Sequence, residues 1–264
     1  MAEAWSRHFE YGGSAYLLIV DYFSKYPEVC LLPGKSASAV ISHFRTVFAR
    51  HGLPEILVAD NMPFNSSEMR KFAAACGFTI NTSSPEHAAS NGQSERMIGT
   101  VKQFMQKANE DSRDPHLALL AYRNTPVAGM PYSPAQLLMS RKLRDNLPTT
   151  ESLLKPRVAE HSYDRLRERQ GNAKAYFDRG TKKLSKLDRG DTVTIKSGRT
   201  WTPATVTAVR ISPRSNMATT ASGRVYRRNR KWLHKSSEPP PLTLMQVTII
   251  LTNSMSNTVH HRRI

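Results

Sequence analysis

EILVADN at 55–61, followed by SSPEHAASNGQSER at 83–96, sets two carboxylates, Asp60 and Glu95, at the ends of a strand–helix–strand unit. Asp60 closes the apolar run Ile56-Leu57-Val58-Ala59, which places it at the carboxyl edge of a buried strand, where ligands gather in α/β sheets. Glu95 falls in the first turn of a helix entered through Ser90-Asn91-Gly92, a start that tolerates negative charge. Two carboxylates so arranged suit a magnesium ion gripping a phosphodiester. Hard cations take oxygen ligands and leave positions open for phosphate oxygens.

The pattern on either side agrees with an α/β core. Strands are expected at about 4–11, 15–21 and 26–32, forming a meander whose first turn is Gly12-Gly13. Val40, Ile41, Phe44, Val47 and Phe48 recur at helical spacing from Ser36 and stop at Gly52 and Pro54, which reads as a core-facing helix. Ser66 opens a second helix through Met69, Phe72, Ala73 and Cys76, closed by Gly77, and Phe78-Thr79-Ile80 is a further strand. A helix from about Gln93 to Ala108 turns Met97, Val101, Phe104, Met105 and Ala108 inward, while Glu95 and Lys102 share its outer face. Asp114-Pro115 and Ser133-Pro134 each start another helix. Arg123, Asn124 and Thr125 between them fit either a structural role or an approach to DNA.

Beyond residue 147 the composition changes. Leu147 to Pro156 is linker-like, and Arg157 to Asp178 is charged and moderately helical, with Gly171-Asn172 interrupting. The runs Thr192–Ile195, Ala204–Val209 and Arg224–Tyr226 read as short strands of a small barrel. The domains expected are therefore 1–150, a linker at 151–183, a barrel at 184–235 and a disordered tail at 236–264.

Five segments, in order, carry a family resemblance: YLLIVDYFSKYPEV (16–29), FARHGLPEILVADNMPF (48–64), TSSPEHAASNGQSERMIGTVKQ (82–103), LALLAYRNTPVAGMPYSPAQLLMSRKLRDNLP (117–148) and GRVYRRNRKWL (223–233). The chain resembles the integrases of retroviruses and Gypsy-class retrotransposons. That resemblance implies a ribonuclease-H-like core, a mixed sheet flanked by helices, with a small all-β SH3-like barrel after it. It also implies a metal-bound Asp-Asp-Glu triad using Mg2+ or Mn2+, joining of an element's DNA ends into target DNA, self-association, contact with chromatin and a nuclear location. On this reading Lys102 contacts the element's DNA. Arg227, Arg228, Arg230 and Lys231 contact phosphate, with Tyr226 and Trp232 as stacking surfaces. Trp201 and Trp232 are otherwise expected in the barrel core.

Two departures from the family pattern stand out. The first triad Asp belongs on the opening strand, and here that position is Arg7. A cation there is expected to repel a metal. Glu10 is expected on the opposite face of the strand from Arg7 and Phe9. Asp21 is a candidate substitute ligand at a strand end, although it matches the Asp of the family's VDYFSKYPE segment, which is not the triad Asp, and its alternative reading is a strand-end turn residue. The second departure is Asp60-Asn61-Met62-Pro63-Phe64, where Met62 replaces a Gly and is expected to strain the turn if it needs φ > 0.

Only Cys30 and Cys76 occur, so neither a disulfide framework nor a zinc site like that of the family's upstream His/Cys domain is expected in this chain. No charged-then-apolar leader opens the sequence, and Leu242–Leu251 is too short and interrupted to span a membrane. The net charge of +17 is uneven: residues 1–156 hold 16 Lys/Arg against 14 Asp/Glu, and 157–235 hold 20 against 6. The C-terminal excess is the expected electrostatic footprint for DNA. Three functions remain open on sequence alone. These are a working integrase with Asp21 as ligand, an integrase-derived DNA-binding protein with impaired catalysis, and a non-enzymatic DNA or chromatin-binding module.

Overall fold

The computed structural model describes residues 2–60, 62–82, 92–127, 129–181, 184–197, 199–209 and 215–236. They form two compact units, divided after Thr181. The tail beyond Ser236 and the loop 83–91, including the Ser90-Asn91 entry to the Glu95 helix, lie outside the described residues.

The first unit opens with β1 (Glu3–Tyr11), β2 (Ser14–Asp21) and β3 (Pro27–Leu32), an antiparallel meander. Its first turn needs left-handed backbone at two successive residues, and Gly12 (φ 56°) and Gly13 (φ 76°) supply it. The strand β4 (Ile56–Ala59) adds parallel to β1, and β5 (Thr79–Thr82) adds parallel to β4, giving the order β3-β2-β1-β4-β5. Because β2 is covered on both faces, its run Leu17–Val20 is apolar throughout rather than alternating.

On one face Ala4, Leu17, Ile19, Leu57 and Ala59 meet α1 (Ala37–His51) and α2 (Ser67–Cys76). Phe44 stacks on Phe48 at 5.1 Å and approaches Phe64 at 6.2 Å at the centre of this layer. On the other face Trp5, Phe9, Leu18 and Val20 meet Met97, Val101 and Met105 of α3 (Gly92–Glu110). Ser36 and Ser66 cap α1 and α2 as expected, each accepting a backbone N–H at 3.2 Å. A layer of helices on each face of this mixed sheet is the ribonuclease-H-like arrangement.

Four more described helices belong to the unit: α4 (Pro115–Asn124), α5 (Pro134–Met139), α6 (Glu151–Leu154) and α7 (Ser162–Asp178). The expected linker, read as partly helical, carries the helices α6 and α7. It belongs to the core unit up to Thr181. Buried Leu166, a Phe23–Tyr163 ring contact at 6.3 Å and a 3.0 Å hydrogen bond from Gln170 to the Tyr22 hydroxyl hold α7 in place. Those contacts offset the helix cost of about 1 kcal/mol at Gly171.

The segment Arg123-Asn124-Thr125 is structural here. Arg123 donates twice to the Pro27 carbonyl and at 3.0 Å to Glu28, whose other oxygen meets His51 at 2.7 Å and Arg50 at 3.4 Å. Asn124 bonds both backbone groups of Leu143, and Thr125 caps the end of α4 on Ala121. Burial alone would raise the Glu28 pKa, but His51, Arg123 and Arg50 outweigh it and hold the carboxyl below its ordinary value. Stability from this group is therefore present above about pH 4.5 and lost as pH falls through the lowered folded value. Arg123→Ala leaves Glu28 only Arg50 and His51 and removes the two bonds to the Pro27 carbonyl, and is expected to cost about 2 kcal/mol in urea unfolding at pH 7.

The second unit is an antiparallel sheet in the order β10-β6-β7-β8-β9, built from β6 (Thr192–Ser197), β7 (Thr200–Val209), β8 (Ser215–Thr220), β9 (Val225–Asn229) and β10 (Leu233–Lys235). A 3-10 turn at Arg230–Trp232 returns the chain from β9 to β10, which pairs with β6 at the far edge, the topology of an SH3-like barrel. Its core is Leu187, Val193, Ile195, Ala204, Val206, Ala218 and Leu233.

Candidate functional site

Strand register determines what stands beside Asp60. Parallel pairing sets Ser6 opposite Ala59, so the next residue on each strand, Arg7 and Asp60, lie level with one another. Alternation then turns both toward α3: Arg7 lies between Trp5 and Phe9 on β1, and Asp60 follows Val58, all on that side of the sheet. The α3 helix brings Glu95 to the same point from above, in its first turn.

The three side chains meet. Arg7 Nε lies 2.8 Å from Asp60 Oδ2, and Arg7 Nη1 lies 3.0 Å from Glu95 Oε1. One guanidinium thus bridges the two carboxylates, with Glu95 88 residues from Arg7 in sequence. Sequence alone predicts that Arg7 merely repels a metal from this place. Instead it supplies a covalently tethered cation where the family resemblance implies a divalent one. Arg7 is 27% exposed, Asp60 30% and Glu95 44%, so the bridge is reached by solvent and its net contribution to stability is about 1 kcal/mol.

A magnesium ion would need the same oxygens, and among the described residues no group of three or more His, Cys, Asp or Glu side chains is arranged to hold a metal. The residues present do not fit the ion. Asp21, the candidate substitute, is spent elsewhere. It is 4% exposed and accepts from the Ser24 amide at 2.7 Å and the Ser24 hydroxyl at 2.6 Å, closing the β2–β3 turn. Its partner across β1 is Ala4, which packs on the α1 face of the sheet, opposite to Arg7. Asp21 is a turn residue.

Neighbouring groups complete the local electrostatics. His8 lies on the α1 face against Phe64 at 5.1 Å, and burial lowers its pKa, with Asp60 pulling the other way and Lys35 adding to the shift. Glu10 pairs with Lys35 and points away from the site. Lys102 is exposed on α3, two turns beyond Glu95, with its ammonium 6.0 Å from the Phe9 ring. Met62 is 68% exposed, and the turn strain expected there depends on Asn61, which lies outside the described residues.

In the barrel, the four cations expected to meet phosphate separate into two kinds. Arg228 is 7% exposed and covers Tyr226 at 5.2 Å, while Arg230 is clamped to the Ser185 carbonyl at 2.7 Å, the Ser185 hydroxyl and the Leu233 carbonyl. These two hold the barrel together. Lys231 is exposed and Arg227 half-buried. Lys186, Arg189, Arg199 and Arg224, which the sequence reading did not assign to phosphate, are also exposed. Trp201 is 41% exposed rather than in the core, whereas Trp232 is half-buried.

Comparison with known proteins points one way. No family model matches the chain. An uncharacterised Caenorhabditis elegans protein, K02A2.6, is 34% identical over 187 residues, covering 66% of this chain and 14% of that protein. The Pol polyprotein of feline endogenous virus ECE1 and the Gag-Pol polyprotein of baboon endogenous virus are each 34% identical over 125 residues, covering 44% of this chain and 12% and 7% of theirs. The chain thus spans a small part of each curated relative it matches. Among solved structures, a simian T-cell lymphotropic virus intasome in complex with the PP2A regulatory subunit B56 gamma contains a chain that superimposes with a TM-score of 0.58 at 16% identity. That match covers 90% of this chain and 79% of the other, and it shows a shared fold. With Pol-type relatives in sequence and the fold of an intasome chain, a ribonuclease-H-like core followed by a barrel, this chain is similar to the integrases of retroviruses and retrotransposons.

Proposed function

We propose that this chain is an integrase-derived DNA-binding protein whose strand-transfer chemistry is impaired. The observation that carries the reading is Arg7 bridging Asp60 and Glu95 at 2.8 and 3.0 Å. In-line attack on a phosphodiester needs metal ions that clamp the attacking and leaving oxygens. A guanidinium offers hydrogen bonds to carboxylates but cannot ionise a water or a 3′-hydroxyl. The reading that restores activity through Asp21 is disfavoured by the bonds Asp21 makes to Ser24.

DNA binding rests on charge. The stretch 157–235 carries a net +14 by its 20 Lys/Arg and 6 Asp/Glu, whereas 1–156 carries +2. We assign the exposed barrel cations, Lys186, Arg189, Arg199, Arg224 and Lys231, to phosphate, and Lys102 to DNA near the old catalytic face. Element ends, target DNA, chromatin, self-association and a nuclear location follow from the family and belong to the same proposal. A binding module on an inert core would share these features, and the two are separated by whether residues 157–235 alone carry the binding.

The test is a strand-transfer assay on the full chain with magnesium or manganese. The proposal expects no joined product. Product that disappears in Asp60→Asn would overturn it.

A further inference from the structure

The outer face of the β10-β6-β7 ribbon carries an aromatic and cationic patch that the fold does not use. Alternation drives Val193, Ile195, Ala204 and Leu233 into the barrel core, so Thr194, Lys196, Trp201, Pro203 and His234 emerge together on the other side. Trp201 is left 41% exposed. His234 backs one side of its indole, with ring centroids 4.2 Å apart at 39°. The Lys196 ammonium stands 5.6 Å from the Trp201 ring and 5.5 Å from Trp232, and Lys231 is 5.9 Å from Trp232.

We propose that this face binds single-stranded DNA, with an unpaired base stacked on Trp201 and flanking phosphates taken by Lys196 and Lys231. The inference rests on the DNA-binding reading above and names the form of DNA that one surface prefers. A duplex hides its base faces inside the stack, so an exposed indole gains from DNA only where a base is unpaired. Lys196 places a cation 5.6 Å from the Trp201 ring, where a phosphate flanking a stacked base can meet it, and Lys231 adds a second beside Trp232. A cationic side chain would also suit two indoles, but Lys196 already supplies that cation, and a segment of net +14 repels another. Every base has a π face, so the binding is tolerant of sequence.

The experiment uses the full chain with a labelled oligo-dT, a duplex of equal length and an oligo-U of equal length, followed by anisotropy. Trp201→Ala should weaken oligo-dT roughly tenfold while leaving duplex affinity unchanged, which also shows that the barrel is intact. Trp201→Phe keeps a ring and should recover most of the loss. In the wild type, oligo-dT should quench tryptophan emission. Equal losses on single strand and duplex, no loss on either, or a loss confined to oligo-U overturns the proposal. If the wild type binds duplex with steep salt dependence while Trp201→Ala changes nothing, this inference alone falls. If the wild type binds no nucleic acid, the DNA-binding reading falls with it.

Discussion

Arg7→Asp is expected to convert a core that is indifferent to magnesium into one whose stability depends on it. The substitution removes the cation between Asp60 and Glu95 and adds a third carboxylate at the same point. Without metal, three acids face one another, and the core's unfolding transition should lose about 2 kcal/mol, or about 5 °C, after allowing for the exposure of Glu95. Magnesium at a hundred times its dissociation constant would return about 2.7 kcal/mol. The wild type should melt at the same temperature in chelator and in magnesium. Asp21→Asn placed on the Arg7→Asp background should leave the magnesium response intact, because Asp21 serves the Ser24 turn on the other face of the sheet. Disappearance of that response would restore Asp21 as a ligand.

The second large effect is electrostatic. If roughly five barrel cations meet phosphates, log affinity for duplex DNA should fall against log salt with a slope of about −4 to −5. Changing Lys186, Arg189 and Lys231 together to Gln should flatten that slope by about one unit for each phosphate no longer neutralised, whatever the DNA sequence. Arg230→Gln serves as the control. Its guanidinium ties the 3-10 turn to Ser185 and Leu233, so it should lower barrel stability rather than act through the slope. An unchanged slope in the triple variant would mean that these side chains are only a solvated surface.

What was legible in the sequence was whatever local chemistry fixes. Serine caps, the glycine turn at 12–13 and the inward faces of α1, α2 and α3 all lie where spacing put them. Asp60 at the end of β4 and Glu95 in the first turn of α3 did too. Less legible was anything decided by partners distant in the chain. The strand β8 reads Ser-Asn-Met-Ala-Thr-Thr, too polar to announce a strand, and it forms because it is paired on both sides by β7 and β9. The helix α7 runs through Gly171 because its contacts to Tyr22 and Phe23 hold it. The network of Glu28, His51 and Arg123 joins residues 95 apart, and no local pattern announces it.

Arg7 is the sharpest case. Its position in the family pattern exposed the missing acid, but its partners could be read only from the register of β1 on β4 and the entry of α3. A lone arginine at a metal site suggests repulsion, whereas one seated between two carboxylates completes their charge. The same limit applies to Arg228 and Arg230, since a run of cations in sequence does not tell which of them bond within the barrel.

Titrating magnesium into the wild-type chain in a calorimeter tests whether Arg7 stands where the family resemblance implies a metal. No heat beyond dilution is expected. Submillimolar binding that vanishes in Asp60→Asn would show that a metal enters this site despite Arg7, and would contradict that expectation.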